Sequence, residues 1–286
     1  MINKIKSVGI VGAGTMGIGI AQVCALSGYN TYLFDINAER LSKAFIQIEK
    51  NIEGGVAKGK VTPEQKKEAL ARLISVNELV NLKTDLIIEA IIEKLEVKQQ
   101  LFLELEQINA GNAILATNTS SIPITQIATA LKNPSMCVGL HFFNPAHIMK
   151  LVEVISGAAT TPELVEKMKA FSVSLKKVPV VAKDSPGFIV NRVARHYYVE
   201  ALQILEESVA DVETIDALIQ SCGFKMGPFK LMDLIGVDTN FSVTTSMYNS
   251  FHQAPKFRPS RIQEQKVNAK ELGRKTGKGF YDYSNK

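Results

Sequence analysis

The sequence predicts an α/β protein, with a doubly wound, mainly parallel sheet followed by an all-helical second domain. Three observations carry this. An apolar run at 5–11 leads into the glycine turn Gly12-Ala13-Gly14-Thr15-Met16-Gly17 and then into a helix-period segment. Similar short apolar runs recur between helical stretches as far as Lys183, and beyond Phe188 the periodic segments are helical. At 286 residues the length suits two domains, and Asp184-Ser185-Pro186-Gly187 punctuates the chain, so the expected domains are 1–184 and 185–286.

The glycine turn is the most informative element. Gly12 permits a tight turn, Gly14 lets the backbone approach a pyrophosphate, and Gly17 lets the new helix pack closely on the strand. The helix N-terminus then offers free N–H groups and a positive dipole end to phosphates. Gly28 stops this helix, residues 29–34 read as a second strand, and Asp35 follows 18 residues past Gly17. That is the position of an acid that accepts the adenosine ribose hydroxyls. A 2′-phosphate would meet like charge there, so NAD(H) is expected rather than NADP(H). The sheet is therefore read as Rossmann-like.

Further along, Asn37 caps a helix over 37–51 and Thr62-Pro63-Glu64-Gln65 forms a capping box for another. The glycine and lysine stretch 54–60 reads as the turn between them. A helical hairpin is thus expected near 37–75, with Lys58 facing an anionic ligand or solvent. Strands are expected at 85–90, 113–117, 136–141, 151–155 and 178–181, with a helix through Lys98 and Phe102. A long helix opens at about 187–190 and continues to about 207, a shorter one covers 211–221, and 231–251 supplies more helical material.

Hydrophobic content of 46% and charged content of 21% suit an ordinary globular chain. The apolar runs are too short to span a membrane, and the basic N-terminus leads straight into the glycine turn rather than a signal sequence. A cytoplasmic location is expected. Cys24, Cys137 and Cys222 lack metal-ligand spacing, so they read as reduced thiols, and no metal is expected. The net charge of +5 resides in the tail, where residues 255–286 hold nine basic and three acidic side chains. This is either solvated surface or a lure for a polyanion such as a CoA thioester or the dinucleotide; no nucleic-acid motif accompanies it. The helical domain has more apolar residues than its size can bury, which predicts a homodimer or larger assembly.

His141 ends a strand, at the edge where open α/β sheets bind ligands. Glu153 is a lone carboxylate in the otherwise apolar strand at 151–155, and a buried carboxylate needs a partner. Together they suggest an orienting Glu–His pair in which the histidine exchanges a proton while hydride moves to or from nicotinamide. Asn118, Thr119, Ser120 and Ser121 follow another strand, placed to bond ligand oxygens or to cap a helix. Asn191 lies at the start of the long helix, expected to face the cleft between domains.

Five ordered motifs now carry a resemblance across almost the whole chain. Gly-Ala-Gly-Thr-Met-Gly at 12–17, Asn-Thr-Ser-Ser at 118–121, His-Phe-Phe-Asn-Pro at 141–145, Ser-Pro-Gly-Phe-Ile-Val-Asn-Arg at 185–192 and Gly-Arg-Lys-Thr-Gly-Lys-Gly-Phe-Tyr at 273–281 closely resemble the 3-hydroxyacyl-CoA dehydrogenases. Bacterial 3-hydroxybutyryl-CoA dehydrogenases are nearest in length. The resemblance implies interconversion of an L-3-hydroxyacyl-CoA, short-chain by expectation, and the 3-ketoacyl-CoA with NAD(H). It places the catalytic histidine on His141, its partner on Glu153, the substrate-binding serine on Ser120 and the site asparagine on Asn191. Cofactor contacts fall on the glycine loop, Asp35, Glu93, Lys98, Asn118, Ser120, Asn144 and Lys275, and a CoA-contacting lysine on Lys58. Gly54-Gly55 departs from the helix formers expected in the hairpin. Two other readings stand beside this one: a dehydrogenase of a free hydroxy acid, resembling gulonate dehydrogenases, and a non-catalytic dinucleotide-binding structural protein resembling certain lens crystallins. Dependence on CoA separates the first, and a turnover assay separates the second.

Overall fold

In the computed structural model, which describes residues 4–284, β1 (Ser7–Val11) lies within the sheet because four of its five residues are fully apolar or glycine and buried. Residues 1–3 of the basic N-terminus and 285–286 of the basic tail lie outside the described residues. After β1 come α1 (Thr15–Leu26), β2 (Asn30–Phe34), α2 (Ala38–Ala57), α3 (Pro63–Arg72), β3 (Leu73–Val76) and β4 (Leu86–Glu89). They are followed by α4 (Leu95–Ile108), β5 (Ile114–Thr117), α5 (Ile124–Ala128), β6 (Cys137–Phe142), β7 (Leu151–Ser156), α6 (Pro162–Ser174) and β8 (Val178–Lys183). The strands form one sheet in the order β3-β2-β1-β4-β5-β6-β7-β8. All neighbours are parallel except β6 and β7, which pair antiparallel, so the sheet is mainly parallel as the strand pattern predicts. Val8, Ile10, Leu33, Ile88 and Val138 from the strands pack with Ile20, Cys24 and Ile48 from the helices in one core.

Two details of the hairpin differ from the expectation. α2 continues through Gly54 and Gly55, because Leu41, Ala44, Ile48 and Ile52 give it a buried apolar stripe. The turn shrinks to 58–62, where Gly59 takes φ +64°. The strand β3 was not expected at all; it follows the capping-box helix directly and pairs with β2.

The chain divides into two compact units, 1–185 and 186–286. The second contains α7 (Val190–Glu206), α8 (Val212–Ser221), α9 (Pro228–Ile235), α10 (Val237–Ser250) and α11 (Arg261–Asn268) around Tyr198, Leu202, Ile215, Phe229 and Met232. The long helix opens at Val190, the later end of the expected range, since Gly187 and Phe188 have φ of +72° and +49°. The helical material expected over 231–251 is divided between α9 and α10 by Gly236, at φ +104°. Residues 273–283 contain no α-helix, only a single 3-10 turn at Arg274–Thr276. They form a strap held by buried Asp233, which accepts from Phe280 N and Tyr281 N at 2.9 Å and from the Tyr283 hydroxyl at 3.1 Å. A side chain at Gly279 would reach within 2.1 Å of that carboxylate, which explains one glycine of the 273–281 motif. Among the described residues no helix is long and apolar enough to cross a membrane.

Candidate active site

Because β1, β2, β4, β5 and β6 are parallel, their C-terminal ends reach one edge of the sheet, and the predicted residues of the first unit, Lys58 excepted, gather there. Gly12 turns the chain at φ +105°, and a Cβ on it would fall 2.6 Å from Ala90 O; one on Gly17 would fall 1.7 Å from Gly12 O. Internal sterics therefore demand these two glycines. Gly14 differs: an added Cβ would meet nothing within 4 Å. The fold does not require glycine there, whereas close approach of a phosphate group does. Gly14 is also the N-cap of α1, whose first turn, with Thr15 exposed and Met16 half-buried, has no acidic residue. This cradle fits an anionic dinucleotide.

Asp35 stands beside it, 7% exposed. Its Oδ2 accepts from Ala13 N at 2.7 Å and its Oδ1 from Asn37 N at 2.9 Å, so the carboxylate fixes the glycine loop against the end of β2. Arg40 Nη1 lies 3.8 Å away and is largely exposed.

At the end of β4 lies a network that sequence reasoning only half found. Glu89, fully buried, accepts from Lys98 Nζ at 2.6 Å, from Ile91 N at 2.7 Å and from Thr117 Oγ1 at 2.7 Å. The Lys98 ammonium also lies 3.3 Å from Glu93 Oε2. Glu93 Oε1 in turn accepts from Thr119 Oγ1 at 2.6 Å, Ser120 N at 2.9 Å and Ser121 N at 3.1 Å. Burial opposes ionisation of Glu93, but Lys98 and these donors outweigh it and hold the carboxyl below its usual range. Lys98, itself 1% exposed, is thus directed at two carboxylates. Neither Glu89 nor Thr117 was singled out, although a glutamate closing the run Leu-Ile-Ile with a lysine nine residues on was the available signal. Asn118 Oδ1 accepts from Phe142 N at 2.8 Å, joining the ends of β5 and β6, and Ser120 is half-buried next to it.

His141 and Glu153 are register partners across the antiparallel β6 and β7, which puts their side chains on the same face. His141 Nδ1 lies 2.8 Å from Glu153 Oε2, with the residues 6% and 1% exposed. A carboxylate at this distance favours the Nδ1–H tautomer, in which Nε2 carries the lone pair. Phe143 packs its ring 4.5 Å from the imidazole, centroid to centroid. Asn144 follows on the exposed turn.

The remaining expected residues lie elsewhere. Lys58 is the exposed C-cap of α2. Asn191, second residue of α7, and Lys275 belong to the C-terminal unit, where Lys275 Nζ donates to both Asp238 oxygens at 2.6 and 2.8 Å.

A family model described as the NAD binding domain of 3-hydroxyacyl-CoA dehydrogenase matches residues 7–185, and one described as the C-terminal domain of that enzyme matches 187–283. The chain is 49% identical over 285 residues to 3-hydroxyadipyl-CoA dehydrogenase of Escherichia coli, covering 99% of this chain and 60% of that protein. It thus spans about three fifths of that relative's length. It is 42% identical over 285 residues to 3-hydroxybutyryl-CoA dehydrogenase of Bradyrhizobium diazoefficiens, covering 99% and 97% of the two chains. A crystal structure of (S)-3-hydroxybutyryl-CoA dehydrogenase from Ralstonia eutropha matches with a TM-score of 0.94 at 40% identity, covering 99% of this chain and all of that one.

Proposed function

The chain belongs to the 3-hydroxyacyl-CoA dehydrogenase family, and from that premise we propose that it interconverts an L-3-hydroxyacyl-CoA and its 3-ketoacyl-CoA with NAD(H). The observation that carries this is the buried His141–Glu153 pair on the same sheet edge as the glycine cradle. When bound, the dinucleotide supplies the hydride acceptor in oxidation and the donor in reduction. His141 Nε2 takes the proton of the C3 hydroxyl as C3 is oxidised, and returns it to the carbonyl oxygen in reduction. Glu153 accepts the Nδ1–H and stabilises the protonated ring. Ser120 and Asn191 hold substrate oxygen, and Asp35, Glu93, Asn118, Asn144 and Lys275 serve the cofactor. Lys98 acts on the cofactor side by fixing Glu93, and Lys58 receives the CoA portion.

The preferred substrate is a short chain, acetoacetyl-CoA in the reductive direction. The 49% identity to a 3-hydroxyadipyl-CoA dehydrogenase makes a six-carbon dicarboxylic acyl chain the second reading. NADH oxidation is measured with acetoacetyl-CoA, 3-oxoadipyl-CoA, a longer 3-ketoacyl-CoA and free acetoacetate. Turnover of the free acid alone, or of none of the four, overturns the proposal. A cytoplasmic homodimer or larger assembly completes this reading; Leu218 and Phe224 of the C-terminal unit are 61% and 54% exposed, which favours burial by another copy. A monomeric mass by light scattering would remove that part.

A further inference from the structure

Behind the β6–β7 turn lies a lysine that no part of this chemistry accounts for. Lys177 stands between α6 and β8, 8% exposed, and its Nζ donates to Ala146 O at 2.6 Å and to Met149 O at 2.7 Å. Among the described residues no carboxylate forms an ion pair with it, and burial lowers its pKa. An ammonium taken out of water without a counter-ion is costly, and an apolar side chain would fill the space without that cost. Both bonds go to carbonyls of a single turn. That turn is otherwise closed by Ile148 N and Met149 N, both donating to Pro145 O at 2.9 Å.

What the turn carries gives the lysine its meaning. It begins immediately after Asn144 and connects the strand bearing His141 to the strand bearing Glu153. Ala146, 1% exposed, faces α1 so closely that a Cβ on Gly19 would lie 3.0 Å from its own Cβ. The turn is therefore wedged between the helix that opens at the glycine cradle and the ammonium of Lys177. We propose that Lys177 is a positioning residue of the dehydrogenase, clamping residues 145–149 against α1 so that Asn144 is held at the cofactor. This rests on the reading of Asn144 as a cofactor contact.

The test is a double-mutant cycle in NADH affinity, read by fluorescence titration without acyl-CoA, so that failure of substrate turnover and failure of the clamp appear in separate measurements. Lys177→Met is expected to weaken NADH about tenfold, and Asn144→Ala to weaken it as well. The double variant should bind no worse than Asn144→Ala alone, because the lysine acts through the asparagine. Lys177→Arg, which keeps charge and donors, should stay within about threefold of the wild type and gives an independent arm if the methionine variant does not fold. The proposal is overturned if the two losses multiply, if Lys177→Met lowers Tm with NADH affinity unchanged, or if a folded Lys177→Arg loses tenfold or more. A purely structural lysine would change Tm in every background and would show no coupling to Asn144.

Discussion

Replacing Glu153 by glutamine keeps the shape of the buried pair and removes its charge. The carboxylate does two things for His141: it accepts the Nδ1–H across 2.8 Å and it stabilises the ring once protonated. With roughly 4 Å between charge centres and an effective dielectric of about 20, that attraction is about 4 kcal/mol. Glutamine retains one hydrogen bond, and its amide can donate to Nδ1, favouring the tautomer in which Nε2 already carries the proton and cannot accept the substrate's. A net loss of about 3 kcal/mol of transition-state stabilisation corresponds to roughly 10²-fold in kcat. The assay is single-turnover NAD reduction by stopped flow at saturating L-3-hydroxybutyryl-CoA, the direction in which Nε2 must accept a proton, with NADH Kd and Tm measured alongside. The reasoning is refuted if Glu153→Gln keeps kcat within about threefold of wild type while the fold is intact.

The glycine loop separates fold from ligand. Gly14→Ala should leave Tm within about 2 °C, since its Cβ meets no protein atom, yet weaken NADH at least tenfold; Gly12→Ala, 2.6 Å from Ala90 O, should lower Tm markedly. Equal Tm losses in the two would contradict this division. Asp35→Ala should narrow the preference for NADH over NADPH in kcat/KM, and because the residue also ties down Ala13 N, NADH affinity should fall too; an unchanged ratio would remove it from cofactor choice. For Glu93 the folded pKa lies below the unfolded value, so the carboxylate adds stability above about pH 4.3. That stability is lost as pH falls through the lower folded pKa. Tm of the wild type should therefore drop more steeply between pH 5 and 3 than Tm of Glu93→Gln, as read by scanning calorimetry; parallel curves would count against it.

Much of the site was readable because it sits where strands end. A glycine turn after an apolar strand, an acid at the end of the next, and a histidine closing a third each interrupt an apolar run, and the parallel order carries all of them to one edge. The polar network behind them was harder to see. Glu89 and Thr117 look like ordinary strand termini, and only the folded chain brings residues 28 apart in sequence within 2.7 Å. Glu93 and Lys98 were found through family resemblance rather than from pattern. The strand β3 escaped notice because Leu-Ile-Ser-Val is short, only partly buried and joined directly to a helix. Gly54-Gly55 misled in the opposite direction: local propensity argued for a turn, while the apolar stripe upstream kept the helix intact. In the C-terminal unit, the glycines near 273–279 were seen as a motif, but their crowding against Asp233 depends on tertiary packing.

The antiparallel pairing of β6 and β7 also bears on which insertions and deletions this enzyme can accept. His141 and Glu153 meet only because they occupy opposed positions on neighbouring strands, and side chains along a strand alternate between faces. Removing Val152, with Leu151 held in register and the residues after it drawn back by one, would turn the carboxylate to the opposite face and present the imidazole with Val154 instead. Length changes confined to the exposed turn leave the strands in step and are tolerable to that extent, though those touching Ala146 or Met149 would also disturb the lysine beneath. Homologues that differ in length across this hairpin should therefore place their gaps in the turn, never within the strands.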